Sequence, residues 1–430
     1  MKRIFYQMLP RLWRDGRFQS VTPAFLRRLK GIGVDYVWYT GVPRHATSKP
    51  FVKGDPGSPY SIEDWYEVNP YSGTLADFDA LVARTHAAGL KVCMDWIPNH
   101  VAADYAGPLP VLDCCDYDWT DTRKVNWDDA RTVDEMSRVL RFWAGRGVDA
   151  FRCDMVELVS AEKIGEVLRA VRAEFPSLLF AAEVYGRENY RRYLDVAGFD
   201  LLYDKSGVYD ILRGIVCDGR SARELTWNWQ GLGAMQPRML NFLENHDEQR
   251  MPYWAGERIW AAAAYALLFG DASFLLYFGQ EAGENAAEGH EGRTSIFEWC
   301  RPVTIGRIAS GRGLDQRERE IFRRWRELLS LAALPAFREG RNWDLAYCQG
   351  AGFDPDRHAA FARFSDDEMW VVVCNFSDAA AQVDIRIPEE LLSAASDKSG
   401  RRTVPVRVAP WDYCAVRLLR LRHFACSTPS

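Results

Sequence analysis

Short apolar runs alternate with amphipathic stretches over the first 335 residues, and the alternation is regular. RIFYQML (Arg3 to Leu9), VDYVWYT (Val34 to Thr40) and KVCMDWI (Lys91 to Ile97) predict strands, and DAFRCDM, LLFAAEV, FDLLYD, RMLNFLE and ASFLLYF supply five more. Helical stretches fall between them. One follows Thr22, with Pro23 at its first position, where the missing N–H costs nothing. A second starts at Thr74 with Asp77 three residues on, and a third at Thr132 with Glu135, both capping patterns. Val133, Met136, Val139, Leu140 and Trp143 then recur at helical spacing. Eight strands with helices between them predict an α/β fold, a parallel (β/α)8 TIM barrel.

The last helix of this series is marked by Ile321, Phe322, Trp325, Leu328, Leu329 and Ala332, with Arg and Glu residues facing away and Pro335 beyond its end. After it the apolar period changes from 3.6 to 2. Val383, Ile385 and Ile387 alternate with polar residues, as do Val404, Val406 and Val408. A small antiparallel β-sandwich domain is therefore predicted over about 340–421, after a barrel over 1–335 and before a tail at 422–430. The segment from Gly41 to Gly73 is longer than an ordinary barrel loop and carries His45, Phe51, Tyr60, Trp65 and Tyr66, so it is expected to wall a cleft.

Charge and composition narrow the function classes. With 54 Lys plus Arg against 59 Asp plus Glu the net charge is −5, which argues against a nucleic-acid binder. No run approaches the length of a membrane span, and the N-terminus has no apolar core of signal-peptide length. Ten cysteines in 430 residues are too dilute for a disulfide scaffold, and Cys93, Cys153 and Cys374 lie inside apolar runs. Reduced thiols and a cytoplasmic location are the expectation. Sixteen Trp residues suit a sugar-binding cleft, although many belong to barrel elements; Trp119, Trp127, Trp227, Trp229 and Trp254 are the candidates for barrel-face loops.

In such barrels the chemistry sits where strands end. The third strand ends in Asp95-Trp96-Ile97-Pro98-Asn99-His100, the fourth in Arg152-Cys153-Asp154, the fifth in Glu183, and the seventh leads into Asn245-His246-Asp247. Arg152 and Asp154 are two apart, so both point into the barrel mouth. A carboxylate after a strand is often only a helix cap; four such ends, one with a paired Arg, are not. Two carboxyl groups flanking a scissile bond are what glycoside hydrolysis requires. Asp154, beside a cation that favours its ionised form, suits a nucleophile, and Glu183, in less polar surroundings, suits a general acid and base.

DWIPNH, GVDAFRCD, AAEV and NFLENHD resemble the four ordered regions of the α-amylase superfamily of glycoside hydrolases (family thirteen), with spacings of 59, 29 and 64 residues from Asp95 to Asp154, Glu183 and Asp247. SPYSIEDWYEVNPYSGTLADF and LLYFGQE resemble two secondary segments of that family. The resemblance implies a retaining mechanism on α-1,4-linked glucans or maltooligosaccharides, with Asp154 as nucleophile, Glu183 as acid/base and Asp247 as transition-state stabiliser. It implies Tyr60, His100, Arg152 and His246 as substrate-site residues, with Asp95 supporting Arg152. Larger members hold a structural calcium with a domain inserted after the third strand; here about thirty residues, 101–130, stand in that place. Asn99 occupies a calcium-ligand position, with Asp113, Asp116, Asp118 and Asp121 nearby. Ca²⁺ needs six to eight oxygens together, and acidic loop residues are more often solvated. No cofactor or metal is therefore expected.

The same site would serve a transglycosylase or glucosyl isomerase. A metal-dependent hydrolase using His100 and His246 would want a denser ligand motif than this chain carries. A non-catalytic glucan-binding scaffold would have no use for three carboxylates around Arg152. The expected partner is an α-glucan or oligosaccharide, with no nucleic acid and no membrane; the oligomeric state is not legible.

Overall fold

The computed structural model describes residues 1–47, 52–395 and 402–419; Phe51 and the predicted tail at 422–430 lie outside them. Eight parallel strands close a barrel: β1 (Ile4–Met8), β2 (Tyr36–Tyr39), β3 (Lys91–Trp96), β4 (Ala150–Cys153), β5 (Leu179–Ala182), β6 (Leu201–Tyr203), β7 (Met239–Phe242) and β8 (Ser273–Tyr277). Each strand pairs with its sequence neighbours, and β1 pairs with β8 to complete the ring (Ile4↔Phe274, Gln7↔Tyr277). This is the TIM barrel expected from the period of the apolar runs.

Alternation along each strand divides the core in two. Phe5, Trp38, Cys93, Ala150, Leu179, Leu201, Leu240 and Leu275 fill the barrel interior. Their neighbours Tyr6, Val37, Met94, Phe151, Phe180 and Leu202 face outward, into a larger cluster shared with the helices. Strands buried on both faces have to read as nearly continuous apolar runs, which these do.

The helices follow their caps, with one exception. Thr22 accepts from Phe25 N at the head of α1 (Pro23–Gly31), and Thr74 and Asp77 form a reciprocal capping box on α2 (Leu75–Ala87). The capping box read at Thr132 and Glu135 does not form. Helix α3 (Arg131–Gly145) starts two residues earlier, with Ala130 at its N-cap and no side-chain cap. Thr132 donates instead to the Asn126 carbonyl, and Glu135 is held by Tyr66 and Arg138. Tertiary partners outcompete the local cap. Further on, α4 is Ala161–Arg172, α5 is Asp210–Asp218, α6 is Arg223–Leu232, α7 is Trp260–Leu268 and α8 is Gln316–Ala332. No helix among the described residues is long and apolar enough to cross a membrane.

Beyond α8 the chain forms β9 (Arg341–Asp344), β10 (His358–Phe364), β11 (Glu368–Asn375), β12 (Ala381–Arg386), β13 (Thr403–Val408) and β14 (Tyr413–Leu419). An antiparallel sheet ordered β9-β10-β11-β14 packs with a β12-β13 pair around a core of Val371, Val373, Val383, Ile385, Val404 and Val406. The two units are tied by Arg363 on β10. Fully buried, it donates to the carbonyls of Ala336 (3.1 Å), Phe337 (2.9 Å) and Gly340 (2.9 Å) and to Asp271 (2.8 Å). Those carbonyls belong to the connection leaving the barrel, so one side chain fixes its path. Arg363→Leu should strand three carbonyls and Asp271, and lower stability by about 3 kcal/mol; thermal denaturation should show the midpoint falling, and an unchanged midpoint would refute this role.

Candidate active site

Inward-facing residues grow more polar toward the C-terminal mouth of the barrel. Cys93 is followed by Asp95 two residues on, Ala150 by Arg152 and Asp154, and Leu179 by Ala181 and Glu183. Period-2 geometry therefore stacks a charged layer on an apolar one. Parallel pairing sets Asp95 opposite Arg152, and Arg152 opposite Ala181.

Arg152 is the centre. Its side chain is 1% exposed and its guanidinium contacts four carboxylates: Asp154 at 2.5 Å, Glu183 at 3.0 Å, Asp95 at 3.6 Å and Asp247 at 3.9 Å. Nε donates to the Tyr203 hydroxyl at 3.2 Å, and the rings of Trp38, Tyr60 and Tyr203 surround the cation. Four acids against one cation leave excess negative charge in a buried place. Desolvation therefore outweighs the Arg152 attraction and pushes Asp95 up to about 7, with Asp154, Glu183 and Asp247 also above the ordinary carboxylate range. The cation was expected to dominate at Asp154. It does lower that carboxyl's pKa, but burial is the larger effect, and the acids titrate as a group.

Glu183 is held from several sides. Its Oε2 accepts from Met155 N at 2.9 Å, and its Oε1 accepts from the Tyr185 hydroxyl at 2.7 Å. Met155 follows Asp154 directly and sits in the left-handed region (φ 43°, ψ 40°), an unfavourable conformation for a residue with a side chain. That turn aims its N–H at the glutamate. The backbone around Tyr185 is fixed by Glu157, which accepts from Tyr185 N and Asn189 Nδ2. Neither Tyr185 nor Glu157 was singled out in the sequence. The available signal was spacing, since Tyr185 repeats the period-2 step after Glu183.

A neutral hydrogen-bonded chain closes the other side. The Gln7 amide on β1 meets His246 Nδ1 at 2.8 Å, placing the ring proton on Nε2, which lies 2.6 Å from the Tyr60 hydroxyl and 3.1 Å from Asp247. Tyr60 donates to Asp95 at 3.3 Å, and Trp38 Nε1 does so at 2.9 Å. Burial and the nearby Arg152 hold His246 well below the usual histidine range, and burial lowers His100 to about 4. Both rings are therefore uncharged at neutral pH.

Above this layer lies a cleft of about 310 Å³, lined by Tyr60, His100, Trp119, Asp154, Glu183 and Asp247. Segment 101–130 supplies Trp119 through a small hairpin of His100–Ala102 and Thr122–Lys124, and Phe297 closes the opposite side. Arg293, in the GHEGR loop, donates to the Asp247 carbonyl. The other residues singled out in the Gly41–Gly73 segment, among those described, do not line the cleft. Trp65 is in the core, Tyr66 bonds Glu135, and His45 contacts Arg11 and Tyr71. Among the candidate loop tryptophans, Trp127 bonds the Pro98 carbonyl and Trp254 is buried. Trp227 and Trp229 lie on helix α6, not in a loop.

Asn99 stands apart from the cleft. It donates to one oxygen of Asp116 at 2.9 Å, while the Lys124 ammonium takes the other at 2.9 Å. Among the described residues no group of three or more His, Cys, Asp or Glu converges as for a metal. A carboxylate already neutralised by a lysine, beside one amide, does not fit a Ca²⁺ shell of six to eight oxygens.

The family profile "Alpha amylase, catalytic domain" matches residues 14–107. Alpha-amylase MalA of Haloarcula japonica is 25% identical over 448 residues, covering 95% of this chain and 62% of its own. Over those regions the chain is similar to α-amylases. Maltase A1 of Drosophila melanogaster is 26% identical over 205 residues, covering 35% of this chain and 34% of its own. The first curated relatives are thus spanned over about a third of their length. An α-amylase from Lactobacillus plantarum shares the fold, with a TM-score of 0.76 at 22% identity over 97% of this chain and 99% of that one. Within the barrel, Arg152 is the residue on which the carboxylate layer converges. Arg152→Met should leave buried acids without a counter-charge and cost about 3–5 kcal/mol. Urea unfolding should show the loss, and wild-type stability in this variant would contradict the account.

Proposed function

We propose that the protein is a retaining α-glycosidase that hydrolyses α-1,4-glucosidic bonds in starch-derived glucans or maltooligosaccharides. The observation that carries the reading is the Arg152-centred set of Asp154, Glu183 and Asp247 at the floor of a cleft with aromatic walls. Asp154 and Glu183 contact two nitrogens of the same guanidinium, at 2.5 Å and 3.0 Å. Two carboxyls gathered on one group suit direct attack by Asp154, as in retaining enzymes.

In this reading the Asp154 carboxylate attacks the anomeric carbon while the Glu183 proton passes to the glycosidic oxygen. The C–O bond to the leaving sugar breaks and a glycosyl ester forms. Water then adds to the anomeric carbon, its proton going to Glu183, and Asp154 is released. Two inversions retain the anomeric configuration. Asp247, next to His246 Nε2, would bind sugar hydroxyls more tightly as the ring flattens. Tyr60 and the neutral His100 and His246 would supply uncharged hydrogen-bond partners.

Asp154→Asn should reduce kcat on maltoheptaose by at least about 10³-fold with an unchanged circular dichroism spectrum; turnover at the wild-type rate would refute the assignment. Product analysis with and without added glucose separates hydrolysis from transfer to a sugar acceptor. The rate should be bell-shaped in pH, because Asp154 must be ionised and Glu183 protonated. Glu183 is raised, so the basic limb lies above the ordinary glutamate range. The Tyr185 hydroxyl opposes that rise by stabilising the carboxylate. Tyr185→Phe should therefore move the basic limb of kcat/KM to higher pH, and a shift to lower pH would contradict that role.

We further propose that Lys124 supplies the positive charge at Asp116 and that no divalent cation is needed. Chelation should leave the thermal midpoint of the wild-type protein unchanged. Lys124→Met should lower stability by about 1 kcal/mol; a drop in the wild-type midpoint on adding EDTA would overturn this. All nine described cysteines are unpaired, which supports a reducing, cytoplasmic setting.

A further inference from the structure

A second cavity stands apart from the catalytic cleft. A groove of about 570 Å³ runs between α6 on the barrel and the start of the C-terminal sheet, and shares no lining residue with the cleft. Its size is in the range of small-ligand sites. Trp227 on α6 is 60% exposed, and Tyr347, just after β9, is 66% exposed. Trp343 adds a third, half-buried ring, whose Nε1 lies 3.3 Å from the Tyr347 hydroxyl. Large flat side chains left this open have given up the burial that would otherwise stabilise them.

The rest of the lining narrows what would fit. Every ionised group there already has a partner on the protein. Arg223 pairs with Asp356 at 3.1 Å, and Asp344 accepts from Thr226 Oγ1 at 3.2 Å and from Ala346 N at 3.1 Å. His358 accepts from Asp354 N through Nδ1, which leaves its proton on Nε2, and burial lowers its pKa so that the ring is uncharged. The Asn342 amide uses its oxygen on Gly270 N, while its buried Nδ2 has no partner. The groove thus offers aromatic faces and neutral donors, its one arginine taken up by Asp356 and its one carboxylate, Asp344, buried and held by neutral donors. A phosphate or a nucleotide would find no unpaired cation in it. An uncharged polyol with flat C–H faces and many hydroxyls would find both of its needs met.

We infer that the groove between α6 and β9 is a second carbohydrate site, holding an α-glucan chain on Trp227 and Tyr347 while another stretch of glucan occupies the catalytic cleft. The inference rests on the glucan reading of that cleft for its ligand class. It adds a place of attachment, built from both units of the chain, that keeps polymeric substrate near the enzyme without touching the reacting bond. Long substrates would gain from it and short ones would not.

The test uses the full-length Asp154→Asn protein, so that ligand is not consumed, with maltoheptaose followed by calorimetry, and adsorption to starch granules. Two binding events are expected. Combining Trp227→Ala and Tyr347→Ala should remove one of them and weaken granule adsorption by roughly tenfold. In the otherwise wild-type enzyme the same pair should leave kcat/KM on maltotriose unchanged, and both residues are exposed enough for folding to be unaffected. A single event that persists undiminished in the double variant would overturn the second site and leave the glycosidase reading intact. No maltoheptaose binding in either protein would overturn both. A change from dimer to monomer on substitution, with granule adsorption unaffected, would show that a second copy of the chain occupies the groove and would also overturn the inference.

Discussion

One guanidinium group sets the terms for the rest of the barrel mouth. Arg152 meets acids from the third, fourth, fifth and seventh strand ends at once, at 2.5–3.9 Å. Without the cation these carboxylates would repel one another in a place with little water. Without the acids a fully buried arginine would be equally costly. Neither half is stable alone, so the register of those strands is chosen by charge as well as by packing. The aromatic collar of Trp38, Tyr60 and Tyr203 excludes water and strengthens every interaction inside it. Burial, which one cation among four acids does not offset, is what raises their proton affinities.

Much of this was legible in the sequence because barrel strands obey a period of 2. Asp95, Arg152, Asp154 and Glu183 could be placed on the inner face by counting from apolar neighbours, and Asp247 by its strand end. Pieces that depend on distant partners were not legible. Gln7 orients His246 from more than two hundred residues away, and nothing local marks it. The Thr132 cap failed because Asn126 and Tyr66 offered its groups better bonds. The tryptophans of α6 looked like loop residues, since an amphipathic stretch as short as WNWQ does not reveal its element. The balance at Asp154 was also hidden: sequence shows the neighbouring arginine but not the degree of burial that outweighs it.

Segment 101–130 shows how a short connection can do several jobs. It places Trp119 over the cleft, and it brings Lys124 to Asp116, so that charge compensation is covalently attached to the chain. A tethered ammonium differs from a bound ion in one respect: its local concentration does not vary with the medium.

Arg363 ties off the connection between barrel and sheet by capping the carbonyls of Ala336, Phe337 and Gly340 and pairing with Asp271. A linker secured in that manner has no slack to act as a hinge. The α6 and β9 walls are therefore joined through a connection pinned at its carbonyls, so bending there would cost the bonds of a buried arginine.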